Sequence, residues 1–291
     1  RFIDVVAAAH FFEDYSQNHP SNRTMSKHNR QDTLRTLGSK YGMVCGTETG
    51  HDAFVPYCDY FEGMMSLPHF RTYRAGSNIE NIVWEPEDHV VKFQLGHNYR
   101  VPLWELVYHD CVVAYWYWGD YNNKMPTLWD KRDLFNALYG VPPMYVFGAS
   151  AWNENKTKFQ RSYHRASPVA HLTMFYEMVD HSVLTKDWLV QQTTFTNGVR
   201  STVNFGTSSF TMKDCYVLKP NSIRIETQND IKDDTSKCPP TEDESNNVAV
   251  YVTVPLVIVA VLIAAGVAIF IFIRRKRNTY TDETISEAIV V

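Results

Sequence analysis

The chain has 291 residues, 14% of them aromatic, and a formal net charge of −4. That balance offers no basic field for nucleic acid, and the aromatic content favours a ligand-binding globular domain over a disordered chain. The five cysteines, Cys45, Cys58, Cys111, Cys215 and Cys238, include no CxxC pair, so zinc and redox motifs are excluded and neither a cofactor nor a metal is expected.

The first element is Phe2 to Val6, an apolar run holding one acidic residue, Asp4, and it reads as a buried strand. A polar loop leads to Ser26, a helix cap for a helix from about Lys27 to Ser39 with Leu34 and Leu37 on one face. Met43-Val44-Cys45 then reads as a second buried strand. Strand, helix, strand predicts a βαβ unit and a parallel sheet covered on both faces. The second strand runs into Gly46-Thr47-Glu48-Thr49-Gly50-His51-Asp52, and Asp59 and Glu62 follow among Tyr57, Tyr60 and Phe61. Carboxylates past the ends of parallel strands are the usual catalytic groups of α/β proteins. Carboxylates among aromatic rings suit a sugar, whose C–H faces pack on rings and whose hydroxyls donate to carboxylates. The same stretch also reads as a polar loop capping the next helix.

Residues 66–96 read as a long insertion loop. Two apolar runs follow, Tyr99 to Tyr108 and Cys111 to Gly119, leading into Asp110 and Asp120, beside His109 and Trp118. Thr127 to Tyr139 is a predicted helix ended by Gly140. Met144 to Phe147 reads as another buried strand, and Lys156 to His181 as a helical pattern broken at Pro168. Val190 to Phe195 and Val199 to Phe205 alternate across Thr196-Asn197-Gly198, a hairpin signal. Thr227 to Asn247 is an acidic, polar stalk.

The 22 residues from Val252 to Ile273 are apolar apart from Thr253, and Arg274-Arg275-Lys276-Arg277 follow. At 1.5 Å per residue this run crosses a bilayer core. The positive-inside rule leaves a short cytoplasmic tail and puts everything before the span outside the cell. A single-pass plasma-membrane protein with an extracellular bulk needs a signal peptide, and the chain opens at Arg1 without one. A fragment or mature form lacking its N-terminal part is therefore expected. On this topology Asn22-Arg23-Thr24 and Asn155-Lys156-Thr157 are usable glycosylation sequons, and Cys215 and Cys238 are placed to pair.

FIDV, NHPSNR, GTETGHDAFVPYCDYFEGMMS, the stretch from Tyr99 to Tyr145, and QQTTFTNGVRSTVNFG together resemble glycosidase-like proteins similar to endo-α-N-acetylgalactosaminidases, glycoside hydrolase families 101 and 129. The resemblance covers roughly Arg1 to Ile225. It implies an α/β fold: the C-terminal part of a (β/α)₈ TIM barrel, then a small antiparallel β-domain and the single transmembrane helix. The expected divisions are a partial barrel at 1–183, a β-sandwich-like region at 184–226, the acidic stalk at 227–248, the transmembrane helix at 249–273 and the tail at 274–291. The resemblance also implies hydrolysis with retention by an aspartate nucleophile and a glutamate acid/base, which fall on Asp4 and Glu48, 44 positions apart. By residue type alone Asp4 reads equally as a helix cap or a buried hydrogen-bond acceptor. Asp52, Asp59, His109, Asp110, Trp118 and Asp120 are expected substrate contacts, and Asp52 is expected to raise the pKa of Glu48. Glu105 is expected to form an ordinary ion pair with Arg100. The implied partners are glycans of glycoproteins and, through one helix, the bilayer. A surface glycosidase is the leading function, and a carbohydrate-binding adhesin without turnover is the alternative. A receptor signalling through Tyr280 and the C-terminal Ile289-Val290-Val291 is a third.

Overall fold

The computed structural model describes residues 1–75, 77, 81–117 and 121–228. The apolar run from Val252 to Ile273, the stalk beyond Gln228 and the tail lie outside the described residues. Among the described residues no helix is long and apolar enough to cross a membrane.

Four short strands form a parallel sheet in the order β1 (Phe2–Ile3), β2 (Gly46–Glu48), β3 (Tyr60–Glu62) and β4 (Val113–Ala114). Between β1 and β2 the chain crosses over through α1 (Arg23–Arg35), whose last turn loosens into a π-helical segment, Thr36–Lys40. Asn22, not Ser26, caps α1: its Oδ1 accepts from the Met25 N–H at 2.9 Å. Leu34 is the apolar anchor of the helix. It packs in a cluster with Ala7, Phe54, Cys58, Phe61 and Val112 that covers one face of the sheet.

The second strand sits three residues later than the apolar pattern places it. Met43 and Val44 are exposed, and the paired residues are the polar Gly46, Thr47 and Glu48, all buried. Backbone pairing to Phe2–Ile3 on one side and Tyr60–Glu62 on the other decides this, not hydrophobicity. Tyr60–Glu62 is an inner strand. The ring of Tyr60 lies over Gly46 so closely that a Cβ at Gly46 would meet ring atoms at 2.1–2.4 Å.

Within the two apolar runs, Val113–Ala114 is β4 and Leu103–Tyr108 is the helix α2. Pro102 stands at its N-cap, where the missing N–H costs nothing, and its carbonyl accepts from Leu106. Glu105 on this helix is buried and pushed up to about 7 by burial; no ion pair with Arg100 forms. Arg100 instead donates to the carbonyls of Gln94 and Met65 and stacks 4.9 Å from the centre of the Trp116 ring. Arg132 sits at the same 4.9 Å from that ring, so the buried indole lies against two guanidinium groups.

Helix α3 (Trp129–Tyr139) ends where the sequence indicates, with Gly140 left-handed at φ +67. A Cβ there would lie 2.6 Å from His109 Nε2 and 2.8 Å from Thr173 Oγ1, so glycine is required by contact as well as conformation. Among the described residues Met144–Phe147 joins no sheet. Two asparagine side chains do the work of a neighbouring strand: Asn122 Oδ1 and Asn123 Oδ1 accept from Met144 and Val146, and Asn123 Nδ2 donates to the Val146 carbonyl. Helix α4 (Ala149–Thr173) runs through Pro168 without a break and is irregular at Asn155 instead.

The antiparallel sheet consists of β5 (Met178–Val183), β6 (Val190–Phe195), β7 (Arg200–Asn204) and, after the small pair β8 (Phe210–Thr211) and β9 (Val217–Leu218), β10 (Ser222–Glu226). Its order is β10-β7-β6-β5. The β6–β7 hairpin pairs Thr194 with Arg200 across the Asn-Gly turn as expected. The sheet begins at Met178, ahead of residue 184. It packs on α3, where Thr193 and Ser201 hydroxyls donate to the Leu138 and Ala137 carbonyls. Cys45, Cys58 and Cys111 are free thiols and Cys215 is disulfide-bonded; Cys238 lies outside the described residues.

Candidate active site

The parallel register decides which side chains meet. Ile3, Thr47, Phe61 and Ala114 are register partners and share one face of the sheet, the face covered by the Phe61 cluster. Alternation sends the next residues to the other face. There Glu48 pairs with Glu62, Asp4 follows Ile3, and Tyr115 follows Ala114. A row of Asp4, Glu48, Glu62 and Tyr115 therefore crosses the C-terminal ends of all four strands. Below it on the same face Phe2 stacks on Tyr60, and Tyr60 meets Tyr115 edge-on.

The row is held by backbone strain and by short bonds. Val5, directly after Asp4, is β-branched yet sits at φ +61, and Thr49, directly after Glu48, sits at φ +27. Both are unfavourable for their residue types and turn the chain away as soon as each acid has been presented. The Thr49 N–H donates to the Glu62 carbonyl at 2.6 Å. Ser66 accepts from the Tyr117 N–H and donates to the Tyr117 carbonyl, tying the chain after β3 to the chain after β4.

Glu48 is buried, and Asp4 stands at the end of the neighbouring strand. Burial, the neighbouring Asp4 carboxyl and the charge of Glu62 push the Glu48 carboxyl up to about 7, with Arg71 pulling the other way. Burial and the Asp4 charge also raise Glu62. Tyr117 is raised by burial and by the charges of Glu48, Glu62 and Asp4. One acid kept protonated beside exposed Asp4 is an arrangement for donating a proton and attacking from the same cleft.

The expected site residues fall into three groups. Asp4 and Glu48 are brought together. Asp52 lies in the loop after β2, but its exposed carboxyl accepts from its own neighbour Ala53 at 2.8 Å; Asp4 and Glu62, not Asp52, raise Glu48. Asp59, His109 and Asp110 precede strands and sit at the opposite end of the sheet, so the expectation that they contact a sugar at the row is corrected. Asp59 accepts from the Cys45 N–H at 2.6 Å. Buried His109 joins three segments: its ring nitrogens face the carbonyls of Tyr176 and Gly140 at 2.9 and 3.2 Å, and it packs on Phe195. Asp110 is exposed beside Cys111. Trp118 and Asp120 lie outside the described residues. Glu62, noted in the sequence only as a carboxylate among aromatic rings, joins the cluster, as do Tyr115, Tyr117 and Arg71, which had not been singled out. One signal for Glu62 was present: FID, GTE and YFE each end a three-residue segment on an acid.

The sequence model of the family described as glycosyl hydrolases related to GH101, GH129, matches residues 1–74 and 85–194. The chain belongs to glycoside hydrolase family 129. Solved structures of the α-N-acetylgalactosaminidase NagBb from Bifidobacterium bifidum are similar in fold. The GalNAc complex is 20% identical at a TM-score of 0.51, and the Gal-NHAc-DNJ complex is 18% identical at 0.50; each match covers 78% of this chain and 31% of the other. The chain thus spans about a third of the length of the solved proteins it matches, and its α/β fold resembles a glycosidase barrel. No curated protein matches the chain.

Proposed function

We propose that this family 129 member hydrolyses α-linked N-acetylgalactosaminides of O-linked, mucin-type glycans with retention of configuration. Asp4 is the nucleophile and Glu48 the acid/base. The observation that carries this reading is the close pairing of exposed Asp4 with buried, proton-retaining Glu48 at adjacent strand ends. A retaining pair stands about 5–5.5 Å apart, whereas an inverting pair leaves about 6.5–9.5 Å for a water. Acids at the ends of directly neighbouring strands, which stand about 4.7–4.9 Å apart, suit the first. Glu48 gives its proton to the leaving oxygen as Asp4 attacks C1; the C1–O bond breaks and a glycosyl ester forms. Water, deprotonated by Glu48, then releases the sugar and regenerates Asp4. The α-N-acetylgalactosaminidase activity named for the similar solved structures supports the choice of sugar.

The test is an α-GalNAc-serine glycopeptide incubated with the full-length protein and followed by proton NMR. The α-anomer of GalNAc is expected first, and a β-anomer or no release overturns the reading.

The enzyme's place is the outer face of the plasma membrane, held by a single span at Val252 to Ile273 with the Arg274–Arg277 end inside. The length of the apolar run and its basic flank support this. Protease added to intact cells is expected to remove the part before the span and spare the tail; the reverse pattern refutes the topology.

A further inference from the structure

We infer that Glu62 is a positioning residue for the proposed acid: its carboxylate, one strand across from Glu48 on the same face of the sheet, is the fixed negative charge that holds the proton on Glu48. The inference rests on the reading of Asp4 and Glu48 as the reacting pair. In a two-carboxylate site, the nucleophile loses its charge once it forms the glycosyl ester. From then until hydrolysis, Asp4 no longer repels a charge on Glu48. A second anion that is not consumed keeps the proton affinity of Glu48 high through the whole cycle, so that it can take a proton from water in the second step.

Three observations place Glu62 in that role. Glu48 and Glu62 are direct register partners in neighbouring parallel strands, which stand about 4.7–4.9 Å apart. The Thr49 N–H to Glu62 carbonyl bond locks that register where both acids leave the sheet. Among the described residues no cation forms an ion pair with Glu62 and no side chain donates to it, so its charge is not neutralised by a partner. Glu62 is half-buried where Glu48 is buried, so its carboxyl keeps more contact with solvent. The other groups facing Glu48 are Asp4 from β1, Arg71 from the loop after β3 and Tyr117 after β4. Arg71 opposes the effect, and Tyr117 is neutral across the relevant range. Asp4 and Glu62 therefore hold the proton between them, and only Glu62 keeps its charge in the ester.

The test compares wild type, Glu62→Gln and Glu62→Asp as full-length proteins, with two readouts. An infrared titration on carbon-13 glutamate-labelled protein follows the Glu48 carboxyl directly, using Glu48→Gln to assign the band, and needs no activity. The pH profile of kcat/KM on the α-GalNAc glycopeptide follows it through turnover. Glu62→Gln, of the same shape without the charge, is expected to move the Glu48 transition and the alkaline limb down together by about half a pH unit or more, the effect of one charge at this spacing. Glu62→Asp keeps the charge and is expected to restore most of the wild-type position. A Glu48 transition unmoved in Glu62→Gln, or moved equally in both variants, overturns the inference even if the enzyme is active. A moved transition in a protein that releases no sugar upholds the charge relation and overturns the proposed reaction instead.

Discussion

Glu48→Gln in the full-length protein is expected to lower kcat/KM on an α-GalNAc glycopeptide by about 10²–10⁴-fold, the usual worth of general acid–base catalysis. A serine or threonine alkoxide leaves poorly and needs the proton. A nitrophenolate leaves without it, so the glycosylation step of an aryl glycoside is expected to lose far less. The pH dependence follows from the surroundings of Glu48. Burial, Asp4 and Glu62 push its carboxyl up to about 7, so the acid form is present below that pH. Wild-type activity on the glycopeptide is expected to fall as pH rises through about 7, and this limb is expected to vanish in Glu48→Gln. Stability carries the same signature. The folded state binds the Glu48 proton more tightly than the unfolded chain, whose glutamate loses it near 4.5. The contribution is fully present below about 4.5 and is lost as pH rises through about 7. Chemical denaturation of Glu48→Gln should show a shallower loss of stability across that window than wild type. Equal losses on both substrates would mean that Glu48 is not the proton donor.

Asp4→Asn is expected to have the larger effect. No leaving group compensates for a missing nucleophile, so glycopeptide and aryl glycoside should both lose more than about 10⁴-fold in kcat. Asp4→Gly opens space at C1 on the face the carboxylate occupied. Azide entering there, with an activated α-glycoside as substrate, should form the β-glycosyl azide: the C1–N bond forms as the aryloxide departs. NMR of that product separates a nucleophile from a residue that merely supports the fold, because a misfolded variant makes no azide adduct. Val5 at φ +61 explains why the position is demanding. The chain must turn sharply after Asp4 to leave the carboxyl facing Glu48, and the Ala7 N–H is then fixed to Thr47 Oγ1 at 3.2 Å. Substantial turnover by Asp4→Asn would transfer the nucleophile to Glu62, the remaining carboxylate in the row.

Local signals in the sequence determined the elements whose causes are local. Gly140 ends α3 because only a residue without a Cβ fits there, and Asn197-Gly198 turns β6 into β7 because that pair favours the hairpin. The crossover from the first strand through α1 also followed from pattern, and with it a parallel sheet whose strand ends carry acids. The choice of Asp4 and Glu48 as candidates rests on a family resemblance that joins two segments 44 positions apart. Only the tertiary structure decided register. Thr47 partners Phe61 and Glu48 partners Glu62, and a slip of one residue would turn every acid to the covered face. Register also made Tyr60–Glu62 an inner strand, although three residues carry too little pattern to show it. It carried Asp59, His109 and Asp110 to the far end of the sheet, where main-chain groups and Cys111 occupy them. Met144–Phe147 was misread for the same reason. An apolar run says that a segment is buried, but the neighbouring chain, here through Asn122 and Asn123, decides how its backbone hydrogen bonds are met.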